Sequence, residues 1–218
     1  MIRTFLIPLL ALAAAGCGSE APLAPKQTTQ ETAERPQAKA AEPLPDKVRV
    51  RLETEAGAIV VELDSRRAPL TTANFVRYAE EGRLDGTSFY RAAPTRGAPE
   101  RGFIQGGIRR NYRRMLPPVP HEPTSETGLR HVAGAISMAR TEPGNAMGEF
   151  FITTAAIPAM DADAEDPGYA AFGRVVEGMD IVRKLLAAPV SPTKGAESGM
   201  QGQIMEPPVK VLRAARID

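Results

Sequence analysis

The stretch from Phe89 to Phe151 constrains this chain most. Its apolar runs are short, and glycine or proline bounds each of them. Runs of that length suit strands. Strands whose side chains alternate between two faces can aim Arg91, Gln105 and several aromatics from separate segments into a single pocket. The 20 prolines and 19 glycines of the chain supply the turns this arrangement needs and disfavour long helices.

Upstream, Val48, Val50 and Leu52 alternate with Arg49, Arg51 and Glu53, the two-residue period of a half-buried strand. Glu55-Ala56-Gly57 turns the chain, and Ile59 to Leu63 returns as the second arm of a hairpin. From Ala68 the pattern changes. Pro69 near the start, Leu70, Ala73, Val76 and Ala79 at helical spacing, and Gly82 at the end predict an amphipathic helix with Phe75 and Tyr78 in the core. Further strands are expected at 87–91, 102–105, 131–139, 150–153 and 171–176, a second helix at 178–186 and a closing strand at 209–213. About eight strands and two helices without a βαβ rhythm predict an antiparallel barrel or sandwich with helices at its ends. Segments 108–130, 155–168 and 189–207 read as loops, and loops that long in a compact domain usually serve a site or cover an opening.

Composition narrows function by exclusion. With 27 basic and 26 acidic side chains the formal charge is +1, without the basic excess that a nucleic-acid partner normally requires. One cysteine precludes an internal disulfide framework, and two histidines beside it are too few for an ordinary structural zinc site. No serine sits in a nucleophile-elbow pattern near His121 or His131. Gly106-Gly107 is not a phosphate loop, and Arg109-Arg110 behind it are read as facing solvent.

The first 46 residues read differently from the rest. Arg3 precedes the apolar run Phe5 to Ala15, which is too short for a stable membrane span but suits the core of an export signal. The run ends Ala14-Ala15-Gly16-Cys17, which resembles a bacterial lipobox with alanine where leucine is usual. Residues 1–16 are thus expected to be a lipoprotein signal peptide, with Cys17 lipidated. Residues 17–46 carry several prolines and no aromatics, the composition of a disordered tether, and 47–218 form the folded domain.

Taken together, the folded part resembles a cyclophilin, the prolyl isomerase family built on an eight-stranded barrel. Seven segments carry the resemblance in order: Gly57–Leu63; Ala68-Pro69 with Asn74-Phe75-Val76; Gly86–Arg91; Phe103–Gly107; Gly134–Arg140; Phe150–Ile152; and Phe172–Met179. It implies a closed antiparallel β-barrel capped by two α-helices, acting as a peptidyl-prolyl cis-trans isomerase on proline-containing clients as a monomer and without a cofactor. The alternative is a barrel that grips such segments with little turnover. With the N-terminal reading, the resemblance implies a periplasmic enzyme, lipid-anchored to the envelope (outer membrane) and assisting folding there.

By that resemblance Arg91 is the catalytic arginine that donates to the prolyl nitrogen, and Gln105 orients it and bonds the substrate backbone. Phe151 floors the proline pocket, and Phe103, Ile104, Met160 and Tyr169 belong to the substrate site. Ala139 and Arg140 lie where backbone pairs with an extended client. Several positions depart from the family pattern. Tyr90 stands where histidine is usual, Glu149 where glutamine is usual, Ala159 where tryptophan is frequent, and Tyr169 where histidine closes the pocket. Residues 92–101 form a longer connection than usual, which leaves the alignment of Phe103 open. Glu149 is expected either to pair with Arg91 or to compete for its donors.

Overall fold

The computed structural model describes residues 44–217; the expected signal segment, Cys17 and the tether up to residue 43 lie outside the described residues. Eight strands follow in chain order: β1 Lys47–Thr54, β2 Gly57–Asp64, β3 Ser88–Thr95, β4 Ala98–Gly107, β5 Ala135–Met138, β6 Glu149–Thr153, β7 Ala171–Glu177 and β8 Ile204–Arg216. They close into an antiparallel barrel in the order β1-β2-β7-β5-β6-β4-β3-β8, so no strand is left as an open edge. The expected hairpin is β1–β2, with Val50 opposite Val61 and Leu52 opposite Ile59, all four fully buried.

Three α-helices are present among the described residues: α1 Pro69–Glu80, α2 Thr124–Thr127 and α3 Met179–Leu186. The single turn α2 falls in a segment expected to be loop. Helix α1 buries Phe75, Val76 and Tyr78, and Phe75 meets Phe150 edge-on at 5.2 Å and Phe172 at 5.3 Å between ring centroids. Helix α3 buries Val182, Leu185 and Leu186. Ala68 gives α1 no side-chain cap, so the first-turn N–H groups of Leu70 and Thr71 would be orphaned. Glu122 supplies both acceptors, at 3.1 Å and 2.7 Å, and its charge suits the positive end of the helix. The segment after β4 is tied to α1 again where the Leu116 N–H donates to the Tyr78 hydroxyl at 2.9 Å.

Three expectations need correction. Residues 92–101 are not a loop: β3 and β4 continue through them as a paired hairpin, with Ala93 opposite Phe103 and the turn at Arg96-Gly97, where Gly97 takes φ +81°. Residues 131–134 do not belong to a strand; β5 starts at Ala135. The closing strand is longer than its apolar core suggests, running from Ile204. Ladder hydrogen bonds to two neighbours hold strand residues that no burial pattern would have flagged.

Candidate active site

The site lies on the outer face of the barrel and begins with an irregularity in β3. Ser88 and Phe89 pair regularly with β4 and β8, and then the register breaks between Phe89 and Arg91: it slips by one against β4, and against β8 the partner jumps from Val209 to Ile204. Tyr90 is the extra residue of a β-bulge, which bends the strand and re-aims its side chains. Phe89 and Ala92, three apart rather than two, both enter the core, and Tyr90 and Arg91 both line the cavity.

From Arg91 a row runs straight across the sheet. Arg91 pairs with Gln105 on β4, Gln105 with Phe151 on β6, and Phe151 with Ser137 on β5. Two residues before Gln105 on β4, the Phe103 ring lies tilted against Phe151 at 5.4 Å between centroids, with the Arg91 guanidinium 5.0 Å from the Phe103 ring centroid. The neighbours of these residues point inward. Phe150 and Ile152 are core, and so is Ile104, which is fully buried inside the barrel. Ile104 therefore does not belong to the substrate site; strand alternation sends it to the face opposite Phe103 and Gln105.

The loop 155–168 builds the far wall. A 3-10 turn at Pro158–Met160 lets the Tyr169 N–H donate to the Met160 carbonyl at 2.9 Å, bringing Met160 and Tyr169 together at the rim. Tyr169 meets Phe151 edge-on at 5.4 Å. Arg140 has a larger part than its backbone alone. Its Nε donates to the Gly168 carbonyl at 2.9 Å, and its guanidinium lies 4.9 Å from the Tyr169 ring, so it braces that wall. The Ala139 N–H is already bonded to the Glu149 carbonyl at 2.9 Å. The resulting cavity measures about 510 Å³, room for a few residues of an extended chain.

Polar groups in this cavity are ordered by a directional relay. The Arg91 Nη1 donates to Gln105 Oε1 at 2.9 Å, Gln105 Nε2 donates to the Tyr90 hydroxyl at 2.8 Å, and that hydroxyl donates to Glu149 Oε2 at 2.7 Å. An ionised carboxylate only accepts, so Tyr90 must donate to it and must receive from the amide side of Gln105. The carbonyl of Gln105 is thereby turned to Arg91. Glu149 thus neither pairs with Arg91 nor competes for it directly; it acts through Tyr90 and Gln105. Burial pushes the Glu149 carboxyl up from its ordinary range and raises the Tyr90 phenol, while burial lowers the Arg91 guanidinium, which still stays a cation at neutral pH.

One residue of the site had no signal in the sequence. Gln203, the second glutamine of Gln201-Gly202-Gln203, accepts from Arg91 Nε at 2.8 Å through Oε1, and its carbonyl accepts from the Ala92 N–H at 2.9 Å. Two side-chain amides thus hold two of the three guanidinium nitrogens, and Nη2 has no hydrogen-bond partner among the described residues. Arg109 and Arg110, read as solvent-facing, are exposed but also line the cavity.

Behind Phe151 lies a buried set that sequence reasoning did not find. His131 Nδ1 is 2.7 Å from Asp161 Oδ1, Nε2 is 2.9 Å from the Ser137 hydroxyl, and the imidazole stacks on Phe151 at 5.7 Å. The order Ser–His–Asp is that of an acyl-transfer triad, but Ser137 is fully buried and no substrate carbonyl can reach it. Among the described residues no group of three or more His, Cys, Asp or Glu is placed to hold a metal.

Comparison with known proteins agrees with this geometry. The family model described as cyclophilin type peptidyl-prolyl cis-trans isomerase/CLD matches residues 49–214. A peptidyl-prolyl cis-trans isomerase of Acinetobacter baylyi is 33% identical over 165 residues, covering 75% of this chain and 82% of the relative. Peptidyl-prolyl cis-trans isomerase A of Dickeya dadantii is 40% identical over 141 residues, 62% of this chain and 70% of its own. Among solved structures, a cyclophilin type peptidyl-prolyl cis-trans isomerase of Cryptosporidium parvum shares the fold at TM-score 0.60 and 20% identity, over 79% of this chain and 98% of that one. An eight-stranded closed barrel, the outward row Arg91–Gln105–Phe151 and a family match over most of the chain lead to one assignment: this chain belongs to the cyclophilin-type peptidyl-prolyl cis-trans isomerases.

Proposed function

We propose that Arg91 drives the isomerisation in this enzyme and that the free Nη2 is its working donor. The X–Pro bond resists rotation by about 18–20 kcal/mol because resonance gives C–N partial double-bond character. Twisting the bond localises a lone pair on the prolyl nitrogen. A cationic N–H aimed at that nitrogen stabilises the twisted state more than either planar isomer, which is the condition for a catalytic interaction. Phe103, Phe151, Met160 and Tyr169 hold the ring while the preceding carbonyl swings. The observation that carries this reading is the fixed guanidinium: Nε and Nη1 are committed to Gln203 and Gln105, which leaves Nη2 uncommitted on a residue that lines the cavity. Arg91→Ala should lower kcat/KM on a short X–Pro peptide by about 10²–10³-fold, with an unchanged melting curve. A rate within a few-fold of the parent would remove Arg91 from the mechanism.

The setting we propose is the bacterial periplasm, with the domain tethered by a lipid on Cys17 to the envelope membrane and acting as a monomer on folding envelope proteins. Support comes from the sequence of residues 1–46: a short apolar core ending in small residues before the only cysteine, then a proline-rich segment. Cys17→Ser should move the protein from the membrane fraction to the soluble periplasm. Retention in the membrane fraction would sink the anchor.

A further inference from the structure

Beyond the residues of the proline pocket, the same cavity is lined by Ile108, Met115 and Met147 and by the exposed Arg109 and Arg110, a set we call its second lobe. These arginines stand out in a chain of nearly balanced charge. Four arginines line the cavity, Arg91, Arg109, Arg110 and Arg140, against one acid, Glu149. Two of the four are already engaged within the protein: Arg91 by Gln203 and Gln105, and Arg140 by the Gly168 carbonyl and Asp166. Arg113 and Arg114 follow in sequence but are held elsewhere, Arg113 against the Tyr112 ring and Arg114 on the carbonyls of Arg83 and Asp85. Among the described residues, the guanidinium of Arg109 rests over the Tyr90 ring at 5.1 Å without an acceptor, and that of Arg110 has no partner.

Their backbone is also unusual. Arg109 and Arg110 have φ of +49° and +56°, the only non-glycine residues with positive φ among those described. Two successive left-handed arginines carry a strain that asparagine or glycine would relieve, and such strain persists only where surrounding structure holds it. Glu149 does the holding. Its Oε1 accepts from the Arg110 N–H at 3.3 Å, and the Arg109 N–H also bonds the carboxylate. The one acid of the cavity is therefore bonded to two backbone donors and the Tyr90 hydroxyl and forms no salt bridge with either guanidinium, although its charge and that of Arg109 attract.

We infer that the second lobe selects clients with an aspartate or glutamate near the proline, held by Arg109 and Arg110 while the aliphatic part of that residue or its neighbour rests on Ile108, Met115 and Met147. The inference rests on the isomerase reading of the same cavity and names its substrate class. A carboxylate matches a guanidinium in geometry as well as charge, and a cleft with low-dielectric walls strengthens the attraction over that at an open surface.

The test uses the full chain and a set of short peptides with one X–Pro bond. Glutamate or glutamine is placed in turn at each of the positions flanking the proline on both sides. Isomerisation is followed by exchange NMR and affinity by fluorescence anisotropy of labelled peptides. At one or more positions glutamate should raise kcat/KM over glutamine by about 3–10-fold at low ionic strength, falling toward parity in high salt. In Arg109→Gln/Arg110→Gln the glutamate-to-glutamine ratio should fall toward one, and in Arg109→Glu/Arg110→Glu lysine should become the preferred residue. A melting curve confirms that each variant is folded. Equal rates for glutamate and glutamine at every position would overturn the inference while leaving the isomerase reading intact, as would a ratio that survives both double variants. If no peptide were turned over, the isomerase reading would fall, and the same glutamate-to-glutamine ratio in affinity would still decide for or against the acidic preference.

Discussion

In the mechanism proposed for Arg91, the side chain gains from having its freedom removed. A long side chain left mobile loses about 2 kcal/mol of rotamer entropy when it engages a client, and that loss would come off the barrier reduction. Here Gln105 and Gln203 hold Nε and Nη1 beforehand through charge-assisted hydrogen bonds. Gln203 is therefore expected to act by positioning. In Gln203→Leu, kcat should fall about 3–10-fold with KM nearly unchanged, because the client still fits its pocket but meets a wandering donor. Gln203→Glu keeps an acceptor at the same reach and should recover most of the rate. Stopped-flow or NMR kinetics at several peptide concentrations separate the two parameters. A change in KM alone would make Gln203 a binding residue instead. The same logic extends to Tyr90→Phe, which removes the hydroxyl between Gln105 and Glu149 and frees the amide to turn. It should lower kcat about 3-fold or more, and an unaltered kcat would show that the relay does not reach Arg91.

At the scale of elements, the informative comparison is between the two ends of the β3–β4 hairpin. The end near the barrel carries Arg91, Phe103 and Gln105 in register, and the far end, Pro94 to Arg101, is mostly exposed. Gly102 marks the border. A Cβ there would stand 2.2 Å from the Ala93 carbonyl oxygen, so only glycine allows the arms to pass this closely. Replacing 95–100 by a two-residue turn should leave kcat/KM within about threefold, since shortening a hairpin tip mainly reduces loop-closure entropy. A loss near that of Arg91→Ala would mean that the tip reaches the client. How much of the elements could be read beforehand follows from the same physics. Hairpin β1–β2 and helices α1 and α3 were visible because each has one apolar face over several residues, a pattern that periodicity detects. Residues 92–101 showed no such pattern. Both faces of that extension are polar or small, and its strand character comes from cross-strand hydrogen bonds alone. Helix α2, one turn long, is beneath the length at which periodicity exists.

The whole molecule carries its pH response on the far side of Phe151. Burial holds the His131 imidazole below its ordinary range, with Asp161 pulling partly the other way. A depressed pKa means the unfolded chain takes up the proton first. The stability that neutral His131 contributes is present above the unfolded value near 6.5 and is lost as pH falls through the folded value, about 1.4 kcal/mol for each unit of separation. Glu149 acts in the opposite sense, since burial raises its carboxyl: the ionised form is disfavoured in the fold, and that penalty disappears as pH falls through the raised value. Melting temperatures from pH 8 to pH 5 should therefore decline more in the native protein than in His131→Gln, whatever the absolute stability of the variant. Parallel curves would mean that His131 does not titrate across this range. Because the ring stacks on Phe151, the same protonation should also broaden or shift the Phe151 ring signals in NMR.

What the sequence determined by itself was whatever depends on local pattern and on residue type. Alternation set β1 and β2, helical spacing set α1 and α3, and ordered segments such as Phe103–Gly107 and Phe150–Ile152 placed Gln105 and Phe151 on one face with Phe150 on the other. Alternation also sends Ile104 inward, although the family resemblance had placed it among the substrate residues. Only the tertiary structure decided the aim of Arg91. Strict alternation from Phe89, which is core, would place Arg91 two residues later inside the barrel. The bulge at Tyr90 shifts the register by one and turns Arg91 outward, and a bulge is a compromise among three paired strands that no single segment encodes. Gln203 reached the guanidinium for a similar reason: 112 residues separate it from Arg91, and closure of β8 onto β3 brings them within hydrogen-bonding distance. Residue chemistry is local and legible, whereas the direction in which a side chain points at a site is settled by the strands that pair around it.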